Sequence, residues 1–281
     1  MTPKGISFVE SIFHPTDLSA TSRPAFAHTL AISLIQKARF EILHVGSESP
    51  ERWERFPGVR DTLERWGLLE PGSERAAVFD ELAIRVAKVQ LAGDPVRATL
   101  DYVRENEPDL LVLGTRGREG LARWLDHSIA QQIARRSRTM TLFVPDHGRA
   151  FVSPDDGHLS LRRILVPVDR TPDATEALIR SARVAEALRD APVVISLLHV
   201  GPGPMPDYDR PEGEGWTWQA LRREGSVAQE ILAVADSLAA DLIVMPTDGR
   251  NGVLDALRGS FVERVVAEAP CPVLAVPAAT R

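Results

Sequence analysis

Asp109-Leu-Leu-Val-Leu-Gly-Thr-Arg-Gly-Arg-Glu-Gly120 returns further along the chain as Asp241-Leu-Ile-Val-Met-Pro-Thr-Asp-Gly-Arg-Asn-Gly252. In each, a short aliphatic run, the composition of a strand buried on both faces, gives way to a polar loop punctuated by glycines. The offset of 132 holds without a gap from Ile84/Trp216 to Pro145/Pro277. Of those 62 pairs 14 are identical, nine of them within the 20 pairs that start at Asp109/Asp241. Identity is densest where strand turns into loop, the place at which backbone geometry is most demanding.

Outward from this stretch the match continues with displaced offsets. Ile12-Phe-His-Pro-Thr-Asp17 pairs with Ile164-Leu-Val-Pro-Val-Asp169, and Ile42-Leu-His-Val45 with Leu197-Leu-His-Val200. The repeated unit is therefore a whole domain, the product of a duplication and not a solenoid module. In the first copy the pattern predicts strands near 6–14, 39–45, 84–91, 109–113 and 140–144, with helices near 20–37, 94–106 and 125–137. In the second it predicts strands near 163–168, 192–199, 216–221, 241–245 and 272–276, with helices near 172–189, 225–239 and 257–269. Strands alternating with helices indicate βαβ units, so the fold class is α/β, two tandem doubly wound five-stranded parallel sheets of Rossmann-like type. The first domain is expected over 1–146, with a helical insertion at about 48–80, and the second over 160–281. Between them 147–159 reads as a linker, because Pro154-Asp155-Asp156-Gly157 breaks both periodicities.

Composition narrows the functional classes. A chain of 281 residues with 44% apolar and 26% charged residues suits two ordinary globular domains. A formal charge of −6 argues against nucleic acid or an anionic membrane as partner, since both reward a basic surface. The local Arg135, Arg136, Arg138 cluster reads as a solvated helix end. The single Cys271 has no internal partner and stands between prolines, which suggests a strand entrance in a reducing compartment. Met1 to Glu10 lacks a basic region followed by an apolar stretch, and no apolar run approaches the ~20 residues of a membrane span. The expected location is the cytoplasm.

In doubly wound sheets ligands sit beyond the carboxyl ends of strands. Asp17 and Asp169 end the first strand of each copy, where a carboxylate accepts hydrogen bonds from a ribose or an adenine edge; the competing reading is an N-cap for the following helix. After the fourth strand come Gly114-x-x-Gly117 and then His127-Ser128, answered by Pro246-x-x-Gly249 and Gly259-Ser260. Glycines allow backbone N–H groups to approach an anion, and a small hydroxyl residue opening a helix adds the dipole. Taken singly, such glycines are also ordinary turn residues.

With Pro-x-Asp on strand one, His-Val ending strand two, the glycine loop and Cys271-Pro-Val-Leu-Ala-Val-Pro277, the chain resembles the universal stress protein family over both halves. The resemblance implies the Rossmann-like, adenine nucleotide alpha hydrolase-like sheet. It implies ATP, with Mg2+ accompanying it, bound by Asp17, the backbone of Val45, Gly114, Gly117 and Ser128 in the first copy. In the second the same roles fall on Asp169, Val200, Gly249, Gly259 and Ser260. It also implies a regulatory role exerted by conformational or partner-binding change. Single-domain members commonly dimerise through the closing strand, so Thr141–Val144 and Val273–Val276 are expected to pair within the chain as a pseudo-dimer, a homodimer being the further assembly.

Each copy departs from the pattern. His127 replaces a glycine and puts a side chain where phosphate would lie, while Pro246 replaces another, removing one donor and fixing φ. The second domain is therefore the favoured nucleotide site, and the alternative is an assembly module that keeps the fold with degenerate pockets. With no obvious Lys and no placed general base, hydrolysis is expected to be slow or absent, and no catalytic or metal-binding residue is assigned. Arg118 and Arg250 are equally phosphate contacts or solvated loop charges. His44 and His199 read as backbone-positioning histidines. Trp53, Phe56, Leu63 and Trp66 in the insertion read as core or domain-packing surface, the sharper alternative being a cap over a site or a partner surface. The matching stretch Gly201 to Gly215 reads as a mobile loop.

Overall fold

The structure is a computed structural model and describes residues 8–46, 50–115, 129–247 and 261–278. Its first half runs β1 (Ser11–Pro15), α1 (Arg23–Gln36), β2 (Arg39–Val45), α2 (Pro50–Arg55), α3 (Val59–Arg65), α4 (Ala77–Asp80), β3 (Val86–Leu91), α5 (Pro95–Asn106), β4 (Leu110–Thr115), α6 (Ile129–Ser137) and β5 (Met140–Pro145). The second half runs β6 (Arg163–Pro167), α7 (Thr175–Leu188), β7 (Val193–Val200), β8 (Trp216–Arg223), α8 (Val227–Ser237), β9 (Leu242–Thr247), α9 (Phe261–Glu268) and β10 (Val273–Pro277). Local chemistry sets the boundaries. Asp94 Oδ1 accepts from Arg97 N at 2.9 Å and Pro95 takes the first helical position, so α5 starts where the Gly93-Asp94-Pro95 turn suggests. At the far ends of α5 and α8 the chain turns left-handed at Glu107 (φ 40°) and Ala239 (φ 47°), residues that the 132 offset equates.

All strands join one ten-stranded sheet in the order β3-β2-β1-β4-β5-β10-β9-β6-β7-β8. Each half thus has its own five parallel strands, and between β1 and β4, as between β6 and β9, the winding direction reverses. The halves meet where β10 runs antiparallel to β5, pairing Thr141 with Ala275, Leu142 with Leu274 and Phe143 with Val273. Leu142 and Leu274 are equivalent in the repeat, so each faces its own counterpart and a pseudo-twofold axis passes between them. On one face of the sheet the core is closed by α1, α7 and the inserted segment, and on the other by α5, α6, α8 and α9.

The insertion and the connection turn out to be one packed unit. Phe56, Leu63, Trp66 and Leu69 are buried, with Phe56 edge-on to Phe26 at 5.3 Å. Trp66 Nε1 donates to Pro154 O at 3.2 Å, and a Cβ on Gly157 would come 2.6 Å from the Trp66 ring. The acidic residues of the connection, Asp155 and Asp156, sit in the turn 154–157. On either side of it Phe151, Val152 and Leu161 enter the core, and Phe151 lies edge-on to His28 at 4.5 Å. Its polarity is that of a turn, while its apolar flanks tie it down.

Candidate functional site

Beyond β1 and β6 the chain leaves the sheet while β2 and β7 continue, which opens a gap at the reversal point. Alternation along β2 decides what faces it. Arg39 N donates to Glu10 O and Thr16 N to Leu43 O on the β1 side, whereas Gly46 N donates to Leu91 O on the β3 side. Val45 therefore turns its N–H and C=O toward the gap past β1. The second half repeats this: Val168 N donates to Leu198 O and Gly201 N to Arg223 O, so Val200 faces the gap past β6.

His44 and His199 brace these edges. His44 Nδ1 lies 2.9 Å from Thr16 O and His199 Nδ1 3.3 Å from Val168 O. A carbonyl only accepts, so each ring carries its proton on Nδ1 and pins the chain leaving strand one to the end of strand two. Both are backbone-positioning, as the sequence suggests.

The two strand-end carboxylates are exposed but differently engaged. Asp17 Oδ1 accepts from Ser19 N (2.9 Å) and Ser22 Oγ (3.1 Å), shaping the 3-10 turn Ala20–Ser22 that leads into α1. Gly114 lies against that turn: a Cβ there would sit 3.5 Å from Ser22 Cα, ordinary contact distance. In the second half the work at the helix start is taken by Asp173, whose Oδ1 accepts from Thr175 N at 2.8 Å. Asp169 Oδ1 accepts from its neighbour Arg170 N at 2.7 Å, and Tyr208 Oη donates to Asp169 O at 2.5 Å. The N-cap reading fits neither aspartate, because Ser19 is the N-cap of the 3-10 turn, Ser22 of α1 and Ala174 of α7. Asp17 instead braces the 3-10 turn from the positions before it, while the exposed Asp169 carboxylate bonds its own neighbour. Tyr208 also accepts from Ala174 N at 3.3 Å, so the stretch 201–215 is fastened at its middle, over the turn that follows β6.

Pro246 occupies a place the sheet tolerates. Ile243 N donates to Pro272 O and Ala278 N to Thr247 O, so residues 243, 245 and 247 face β10 and Pro246 faces the β6 side. There the paired register of β6 with β9 stops at Leu165 and Ile243, so the missing N–H leaves the β9–β10 ladder intact. The cost falls on the gap, which loses one donor. Gly117, His127, Ser128, Gly249, Gly259 and Ser260, with Arg118 and Arg250, lie outside the described residues. Of the expected ligands the structure therefore brings Asp17, Val45 and Gly114 to one gap and Asp169 and Val200 to the other.

One buried residue of β1 carries a signal of its own. His14, fully buried, places Nδ1 2.9 Å from Val112 O, and its ring stacks 6.2 Å from Phe56 of the insertion. Burial pulls its pKa down to about 4, against a smaller opposing pull from the Val112 carbonyl and the Asp17 charge. The signal was a mismatch in the repeat, since Val166 holds the equivalent position. Trp53 also reaches this end: Nε1 donates to Gln90 Oε1 (3.1 Å), Gln90 Nε2 to Gly46 O (2.8 Å), and Lys88 Nζ lies 5.0 Å above the ring. Cys271 is inert by contrast, its thiol pushed up to about 12 by burial.

The comparisons with known proteins agree with this architecture. The model of the universal stress protein family matches residues 9–145 and 209–277. A universal stress protein of Synechocystis is 29% identical over 148 residues, covering 46% of this chain and 94% of its own length. One from Mycobacterium tuberculosis is 24% identical over 266 residues, covering 83% of this chain and 85% of its own. Among solved structures, a universal stress protein from Archaeoglobus fulgidus superposes with a TM-score of 0.64 over 97% of both chains at 18% identity, a likeness of fold. With its repeated strand-end gaps and its family match over most of both halves, the chain belongs to the universal stress protein family as a tandem, two-domain member.

Proposed function

We propose that this stress-response protein is a regulatory adenine-nucleotide binder whose working site is the gap past β6 in the second half. The supporting observation is the division of labour at the helix starts. Asp173 serves the first turn of α7, which leaves the exposed Asp169 beside the open main-chain groups of Val200. A carboxylate next to a free peptide N–H and C=O is a donor and acceptor set suited to a ribose hydroxyl and an adenine edge. In the first half the Asp17 carboxylate is held by Ser19 and Ser22, so that domain serves as the structural partner of the pair. This division reconciles the nucleotide-binding reading with the degenerate-pocket reading by assigning one to each half.

Mg2+ accompanies the triphosphate in this reading, and the output is a conformational or partner-binding change with slow or no hydrolysis. The place of action is the cytoplasm; no helix among the described residues is long and apolar enough to cross a membrane. Titration calorimetry with ATP is the test. Asp169→Ala should abolish most of the heat, and Asp17→Ala should leave most of it. Absence of heat at millimolar ATP, together with no nucleotide released from freshly purified protein, would leave only the assembly-module reading standing.

A further inference from the structure

Two equivalent clefts flank the β5–β10 seam, and they carry opposite charge. In the second half the cleft at the end of α8 is filled by Arg149 of the connecting segment. Its Nη2 donates to Ala235 O (2.9 Å), Nε to Ala240 O (3.1 Å) and Nη1 to Asp236 Oδ1 (3.1 Å). The main chain delivers it there, because Arg149 N donates to Pro270 O at 2.7 Å. Gly148 at φ +92° permits the approach, for a Cβ would come 2.6 Å from that same oxygen. A cation over a helix C-terminus and an aspartate is a complementary occupant.

At the end of α5, in the first half, the equivalent cleft is open, with a volume of about 480 Å3. That is the size of a small-ligand pocket. Its floor is apolar, with Leu100, Val103 and Met140. The offset of 132 shows what has changed: Asp236, Glu268 and Pro270 are replaced by Arg104, Arg136 and Arg138. All three arginines line the cleft, and Arg180 of α7 joins them from the other half. The acidic groups nearby are largely committed. Asp109 Oδ2 accepts from Glu10 N and Ser11 N, Glu176 Oε1 accepts from Arg180 Nε at 2.7 Å, and Asp101 Oδ1 accepts from Arg104 Nη1 at 2.9 Å. Arg136 and Arg138 form no ion pair among the described residues, and Glu107 is the remaining carboxylate of the lining.

We propose that this seam cleft binds a small organic dianion, a phosphate monoester with an apolar group. Arg136 and Arg138 hold the phosphate and the apolar group lies on Leu100, Val103 and Met140. Guanidinium forks match phosphate oxygens in bidentate geometry, and two such groups balance the dianion's charge. In the second half the corresponding place holds the Arg149 cation against Asp236, whereas in the first the side-chain charge is reversed by Arg104, Arg136 and Arg138, which makes an anion the complementary occupant there. The site is separate from the strand-end gap of its own half, since Asp109 and Met140 place it at the amino ends of β4 and β5. Arg180 comes from the second half, so occupancy bridges the seam.

Phenyl phosphate titrated calorimetrically into the full chain tests the assignment. Saturable binding at one site is expected, weakened by at least about tenfold in Arg136→Ala/Arg138→Ala, equivalent to about 1.4 kcal/mol or more, and reduced by added salt. The Asp17→Ala/Asp169→Ala pair should bind as the parent does, and phenol should give no saturable heat. Both arginines are exposed, so the double variant should melt with the parent, and Arg136→Gln/Arg138→Gln provides a second, more conservative pair with the same expected loss. No heat at millimolar phenyl phosphate, unchanged binding by either arginine pair, equal binding of phenol, or loss of binding in the aspartate pair would each overturn the proposal. The last would move the ligand to the strand-end gaps, whereas failure of ATP to bind leaves this site untouched.

Discussion

His14 and His28 are fully buried, each with Nδ1 at hydrogen-bond distance from a carbonyl and with Nε2 unpartnered. Burial lowers both from 6.5 to about 4. Between these values the unfolded chain binds protons that the folded chain refuses, so stability is fully present above pH 6.5 and declines as the pH falls toward 4. At pH 5.5 each residue should cost about 1.4 kcal/mol relative to neutral pH. Urea unfolding at pH 7.5 and 5.5 measures this, and His14→Val with His28→Leu should remove most of the difference; an unchanged pH slope in that pair would sink the assignment. The aspartates give a second prediction. Asp17→Ala should lose about 1 kcal/mol with its hydrogen bonds to Ser19 N and Ser22 Oγ, whereas Asp169→Ala should change stability by less than about 0.5 kcal/mol. Equal losses in denaturant titrations would contradict the division of labour between Asp169 and Asp173. The positions of both aspartates were legible in the repeat. Their unequal engagement was not, because it depends on Asp173 and Ser22, which sit in unlike loops and carry no repeating signal.

Elements were legible where periodicity repeats and obscure where it does not. The ten strands were expected from alternation, and the α5 start from its Asp-Pro turn. The 3-10 turn before α1 was merged into a longer predicted helix, since Thr21 and Ser22 do not disturb the apolar spacing that α1 maintains. The connection 147–159 reads as a linker because the turn-forming Pro154-Asp155-Asp156-Gly157 outweighs Phe151 and Val152 in a local reading. What it packs on, the insertion, lies some ninety residues away in sequence. That contact makes a sharp prediction at Gly157, where φ is +73° and the Trp66 ring would meet a Cβ at 2.6 Å. Gly157→Ala should cost about 1–3 kcal/mol through left-handed strain and the displaced ring. Denaturant titration reads the loss, and the Trp66 environment provides a fluorescence signal; a neutral result would mean that the turn and the insertion are not pressed together.

At the scale of the whole molecule the question is whether two domains behave as two. Leu142 and Leu274 face each other across the pseudo-twofold axis, and both are nearly fully buried in a core that runs from α1 through the seam to α7. The connection adds Phe151 against His28, so the same core holds β1 of one half, β6 of the other and the segment between them. Two parallel sheets that share a strand pair and one face of packing have no surface along which to separate without exposing β5 and β10 as apolar edges. The full chain should therefore unfold in one cooperative step, with the calorimetric and van't Hoff enthalpies equal for the entire polypeptide. Leu274→Ala, in the second half, should cost about 2–4 kcal/mol and should lower the melting of signals from both halves together, including the fluorescence of Trp66 in the first. If the first half kept its melting temperature while the second melted early, the seam would be a docking contact between independent domains. A common shift would mean that duplication has turned two Rossmann-like units into one folding unit, within which one gap is free to specialise while the other maintains the frame.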